Sequence, residues 1–163
     1  MIKILFVCTH NACRSVLAEV TANRLGAGRI TAASAGSAPA GRVHPLTLNY
    51  LSSRNIATEG LKSQGMDEFE DFAPDLVITV CDRAAGEACP LWLGDTAKAH
   101  WGLPDPSHAG LEGDDALEQA FDAVVDVLQR RIQALLDANG DSLLGDSLQA
   151  LAAQVAEQEP YRE

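Results

Sequence analysis

Apolar residues recur along this chain in two rhythms. Ile2 to Val7 is a nearly unbroken apolar run, interrupted only by Lys3, as expected of a strand buried on both faces. Val16 to Leu25, rich in Ala and Leu and closed by Gly26 and Gly28, predicts a helix. Arg29 to Ser34 is a weaker strand pattern, and Gly36 to Gly41 reads as a loop of small residues. His44-Pro45 opens a second helix running through Leu46, Leu48 and Leu51. Pro74 introduces another buried strand over Asp75 to Val80, and Ala97 to Trp101 supplies a short further one before the Gly- and Pro-rich stretch Gly102 to Gly113. Between Asp114 and Asp137, Leu117, Phe121, Val124, Leu128 and Leu135 form one helical stripe, with Asp and Gln opposite. After Asn139-Gly140, Asp141 or Ser142 is expected to cap a last helix with the stripe Leu144, Leu148, Leu151 and Val155. Alternating strands and helices predict an α/β fold, a parallel sheet covered on both faces. Residues 1–138 read as one domain and 139–163 as a C-terminal helical extension, which either packs back on the domain or forms a dimer interface.

Length and charge narrow the function. A chain of 163 residues holds one core without staples. Twelve basic against twenty-three acidic side chains give −11, and only 5% of residues are aromatic. That field repels nucleic acid and anionic lipid and leaves few stacking platforms, so neither is an expected partner. No apolar run has the length of a membrane span, and the opening Met1 to Val7 is too short for a signal peptide, which predicts a cytoplasmic monomer or weak dimer. In that setting Cys8, Cys13, Cys81 and Cys89 suggest chemistry rather than a disulfide framework. No C-x-x-C pair and no helical His pairing occurs, so no metal site is expected.

The informative motif is Cys8-Thr9-His10-Asn11-Ala12-Cys13-Arg14-Ser15, which lies between the first strand and the first helix. C-x5-R is common by chance; its position makes it specific. In open α/β sheets, ligands bind where strand carboxyl ends meet helix amino ends. A tight loop there turns consecutive N–H groups inward as a nest for a tetrahedral anion, and Arg14 adds a two-point clamp. The same donors and the helix dipole favour a thiolate at Cys8, the form that acts as a nucleophile. The alternative is a buried strand-end cysteine beside a surface arginine.

These residues resemble the phosphate-binding loop of the low-molecular-weight protein tyrosine phosphatases and of the arsenate reductases sharing their fold. Ala18-Glu19 also match, as does Asp105-Pro106 within Trp101-Gly102-Leu103-Pro104-Asp105-Pro106, where that family keeps its catalytic aspartate. The resemblance covers about Met1 to Leu136. It departs at His10, where many members have glycine; a positive φ there would carry strain. The resemblance implies a four-stranded parallel sheet, Cys8 as nucleophile, and an oxyanion held by Arg14 and the loop Thr9, His10, Asn11, Ala12 and Cys13. It also implies that Ser15 helps hold the Cys8 thiolate. Asn11 is expected to brace the loop. Cys13 reads as a packing residue or, alternatively, as a disulfide partner of Cys8.

Chemistry separates the two branches. A phosphatase hydrolyses its Cys-phosphate with water, whereas a reductase needs a second sulfur. Cys81, directly after the Asp75–Val80 strand, and Cys89, further along, supply two. A similar pair occurs in thioredoxin-coupled reductases, usually one residue closer together, and His100-Trp101-Gly102 also looks like the reductase branch. The only tyrosines, Tyr50 and Tyr161, do not flank Asp105, where a phosphotyrosine groove would want an aromatic wall. The leading expectation is an arsenate reductase with a Cys8/Cys81/Cys89 disulfide relay. Asp105 serves it as acid, and thioredoxin or glutathione/glutaredoxin is the external reductant, with no bound cofactor. A phosphatase acting on a phosphomonoester is the alternative, and Cys81 and Cys89 would then be small core residues. His44, His108 and the acidic face of the long helix read as solvated surface.

Overall fold

In the computed structural model the first apolar run forms β1 (Ile2–Cys8), followed by α1 (Arg14–Leu25), β2 (Ile30–Gly36) and α2 (Pro45–Ser53). Then come β3 (Leu76–Thr79), β4 (Ala97–His100), α3 (Asp114–Asp137) and α4 (Gly145–Gln158). The structure describes residues 1–81, 94–108 and 114–161. Among them no helix is long and apolar enough to cross a membrane.

The four strands are ordered β2-β1-β3-β4, and every pairing is parallel. From β1 the chain crosses to β2 on one side and later to β3 on the other. The gap at the carboxyl ends of β1 and β3 is therefore the switch point, where open α/β sheets bind ligands. Ile4, Leu5, Phe6 and Val7 are all buried, so both faces of β1 are covered, as its continuous apolar run requires. The α3 stripe is buried at Phe121, Val124, Leu128 and Leu135.

The last helix packs back on the sheet. Leu148, Ala152 and Val155 are buried, and the fully buried Trp101 donates its indole N–H to Ala152 O at 2.9 Å. Gln149 Oε1 accepts from the Lys98 N–H at 2.9 Å on the outer side of β4. Asn23 grips the outer side of β2, with Oδ1 accepting from Ala32 N–H (2.8 Å) and Nδ2 donating to Ala32 O (3.1 Å). The expected cap of α4 is corrected: the helix begins at Gly145, its N-cap is Leu144, and Asp141 and Ser142 sit in a preceding 3₁₀ turn. Asp141 is drawn instead into a bidentate pair with Arg29, at 2.7 and 3.0 Å. Leu144 is 67% exposed rather than part of the buried stripe.

Candidate active site

β1 ends at Cys8 and α1 begins at Arg14, so the five residues between them must turn tightly at the sheet's switch point. The loop carbonyls are drawn outward. Thr9 O accepts from Ala38 N–H, His10 O from Ala40 N–H and Ser63 Oγ, and Ala12 O from His44 N–H and Thr47 Oγ1. In a planar trans peptide the N–H points opposite the C=O. The N–H groups of His10, Asn11 and Cys13 are thereby turned to the concave side, as an anion nest requires.

The left-handed residue of the loop is Asn11, at φ 48°, not His10; this corrects where the strain was expected. Asparagine tolerates that region better than most residues. Asn11 is fully buried; its Oδ1 accepts from Gln64 N–H and its Nδ2 donates to Ser15 Oγ, both at 2.8 Å. Because Ser15 accepts from Asn11, its own hydroxyl hydrogen is left to point at Cys8 Sγ, 2.9 Å away.

Gly36 packs against this loop so closely that a Cβ would lie 2.6 Å from Thr9 O and 3.1 Å from Asn11 N. Gly36→Ala should therefore push the loop backbone outward and cost about 1–3 kcal/mol of stability, the range for overpacking. Denaturant unfolding checks this; an unchanged midpoint would mean the loop can yield without loss.

Arg14 Nη1 donates to Leu103 O at 2.9 Å, and Nη2 lies 3.7 Å from Asp105 Oδ2. Asp105 Oδ1 accepts from the Ser107 N–H (2.9 Å) and hydroxyl (2.6 Å), which fixes the carboxylate's rotation. The loop, His44, Asp105 and Ser107 enclose a cavity of about 40 Å³, room for a small ion. His44 and Ser107 were missed as site residues. His44 is no simple surface side chain; it caps α2, accepting from Leu46 N–H at 3.0 Å, a role for which His44-Pro45 was the available signal.

Cys8, Cys13 and Cys81 are buried thiols. The Cys13 thiol is pushed up to about 12, chiefly by burial, with the Thr47 hydrogen bond opposing and Asp105 and Cys8 adding to the rise. Cys81 lies just past β3, where the Val80 N–H to Val7 O bond (2.9 Å) carries the ladder to the rim. Its Sγ is 3.6 Å from Thr9 Oγ1, hydrogen-bonding range for sulfur, so it reaches the base of the loop. Cys89 lies outside the described residues. Among those described, no group of three or more His, Cys, Asp or Glu side chains could hold a metal ion.

A larger cavity of about 510 Å³ lies between α1, α2 and α3, and no described cysteine lines it. Its polar groups serve one another: Asp122 accepts from Tyr50 OH (2.5 Å) and from Arg54 (2.7 and 2.9 Å). Burial and then Asp122 push the Tyr50 hydroxyl up to about 12. At Asp122 the acidic face of α3 is therefore engaged rather than merely solvated.

The family model described as low molecular weight phosphotyrosine protein phosphatase matches residues 3–157. The glutaredoxin arsenate reductase of Synechocystis sp. is 35% identical over 112 residues, 69% of this chain and 84% of that protein. A solved structure described as an arsenate reductase in the phosphate binding state superposes with a TM-score of 0.68 at 30% identity, covering 85% of this chain and 98% of the other. The thioredoxin-dependent arsenate reductase of Corynebacterium glutamicum gives 0.62 at 28% identity, covering 88% of this chain and 64% of the other.

Proposed function

Because this chain belongs to the low molecular weight phosphotyrosine protein phosphatase family, we propose that it uses that family's oxyanion loop to reduce arsenate to arsenite. The observation that carries this reading is Cys81, a buried thiol just past β3, the strand paired with the one that ends at Cys8, with its Sγ 3.6 Å from the loop residue Thr9. Phosphatase turnover, resolved by water, needs no second thiol. The arsenate reductases among the relatives, one described with bound phosphate, support the choice of substrate class.

The loop amides and Arg14 bind arsenate. Cys8 Sγ attacks arsenic, a sulfur–arsenic bond forms, and one oxygen leaves as water with a proton handed over by Asp105. Ser15 steadies the attacking sulfur. Cys81 Sγ then attacks Cys8 Sγ: the disulfide forms, the sulfur–arsenic bond breaks, and its electron pair stays on arsenic, which leaves as arsenite. Two thiols are thus oxidised as As(V) becomes As(III). Cys89 takes over the disulfide and passes it to thioredoxin, or a glutathione–glutaredoxin system reduces it; relatives described as glutaredoxin- and thioredoxin-dependent support both routes. Cytoplasmic placement, where such reductants are kept reduced, suits this chemistry.

Purified protein assayed with arsenate and each reductant, and in parallel with an aryl phosphate, tests the reading. Arsenite production with either reductant is expected. Aryl phosphate turnover without arsenite production would favour the phosphatase. Arg14→Lys should lower kcat/KM for arsenate about 10²-fold, comparable to losing an oxyanion donor, because an ammonium cannot reproduce the guanidinium's two-point grip. Near-wild-type kinetics would place Arg14 outside the binding site.

A further inference from the structure

His44 stands between two roles. Its backbone N–H donates to Ala12 O at 2.9 Å, tying the start of α2 to the oxyanion loop. His44 lines the same cavity as Cys8, Arg14 and Asp105. Its Nδ1 is committed as the α2 cap, accepting from Leu46 N–H at 3.0 Å. A nitrogen that accepts a hydrogen bond carries no proton, so the ring proton is on Nε2, the nitrogen the cap does not use.

His10, the other imidazole lining this cavity, has the opposite polarity. Its Nδ1 lies 3.3 Å from Ala38 O, a carbonyl that can only accept, so Nδ1 carries a proton and, in the neutral ring, Nε2 is the acceptor. Of these two rings, the one whose backbone partner fixes a donor nitrogen for an anion is His44.

We propose that His44 Nε2–H is a direct hydrogen-bond donor to the bound oxyanion, a substrate-binding group supplied by α2 in addition to the loop amides and Arg14. The inference rests on the reading of the cavity as an oxyanion site, not on the reduction step. It gives the Ala12–His44 and Ala12–Thr47 bonds a purpose: they hold the donor in register with the loop. The cap removes the tautomeric choice, so the donor is fixed before the anion arrives and little ordering is needed on binding.

Asparagine is among the best N-cap residues and can keep the bond to Leu46 N–H, but it is too short to offer the distal donor. His44→Asn should therefore preserve the melting temperature and weaken inorganic phosphate binding, read by calorimetry, about tenfold, the loss of one hydrogen bond to a charged group. His44→Ala should show the same loss of affinity and, in addition, a lowered melting temperature. In the unsubstituted protein, long-range ¹H–¹⁵N spectra should show His44 protonated on Nε2, and phosphate should shift that resonance. Phosphate affinity within twofold of wild type in both variants, or an Nε2 signal indifferent to phosphate, overturns the proposal. A protein that binds phosphate in this His44-dependent way yet reduces no arsenate upholds the inference while the reductase reading fails. A protein that binds no phosphate overturns it.

Discussion

Cys81→Ser protein is expected to lose catalytic arsenate reduction while hydrolysing any aryl phosphate it accepts at close to the wild-type rate. Water resolves a Cys8-phosphate and has no need of Cys81. A Cys8–arsenate adduct waits for a sulfur. An intramolecular thiol beside the loop acts at an effective concentration that millimolar external thiol cannot match, so turnover should fall on the order of 10³-fold or more. Thr9 Oγ1, 3.6 Å from Cys81 Sγ, marks how close to the loop that thiol is held. Steady-state arsenite production, with mass spectrometry of thiols trapped after arsenate addition, reads both halves of the expectation. Arsenate reduction at the wild-type rate with every reductant would sink the relay. An external thiol attacking Cys8 directly would then be the mechanism, leaving Cys81 as a packing residue.

Cys8→Ser should remove more, abolishing turnover of arsenate and of phosphate esters alike. A hydroxyl at the strand end is far less ionised than a thiol at neutral pH, and losing a nucleophile costs more than losing one oxyanion donor. Rates should drop to below about 10⁻³ of wild type. Phosphate should still bind, since Arg14 and the loop amides are untouched and Ser15 Oγ keeps Asn11 Nδ2 as a donor. Residual activity above that level in either assay would mean that Cys8 is not the attacking atom.

What could be read from the sequence was local. The run Ile2–Val7 and the α3 stripe carry their own periodicity, and the six-residue interval from Cys8 to Arg14 needs only a strand–turn–helix context to become a candidate anion site. What stayed hidden depended on residues far apart in the chain. Asn11 can take the left-handed turn because Gln64 and Ser15 satisfy its amide, and Gln64 is 53 positions away. Asp141 reads as a helix cap until Arg29, 112 positions earlier, claims its carboxylate. Arg14 is aimed by a backbone carbonyl, Leu103 O, which no side-chain pattern announces. His44 looked like a helix opener, and it is one. That α2 also brings His44 to the cavity at the loop follows from the bonds on Ala12 O, which exist only once the loop has folded.

The two side-chain amides on the outer strands bear on how this protein lives in a crowded solution. An open sheet presents two unfinished ladders, each a template on which a foreign strand can add and aggregation can begin. On β2, Asn23 offers Ala32 a carbonyl and an N–H together, imitating for one residue the strand that is not there. On β4, Gln149 Oε1 accepts from the Lys98 N–H. The latter stopper is carried by α4, so the helical extension helps end the sheet at four strands. Each of these carboxamides occupies a ladder position that an incoming strand would need.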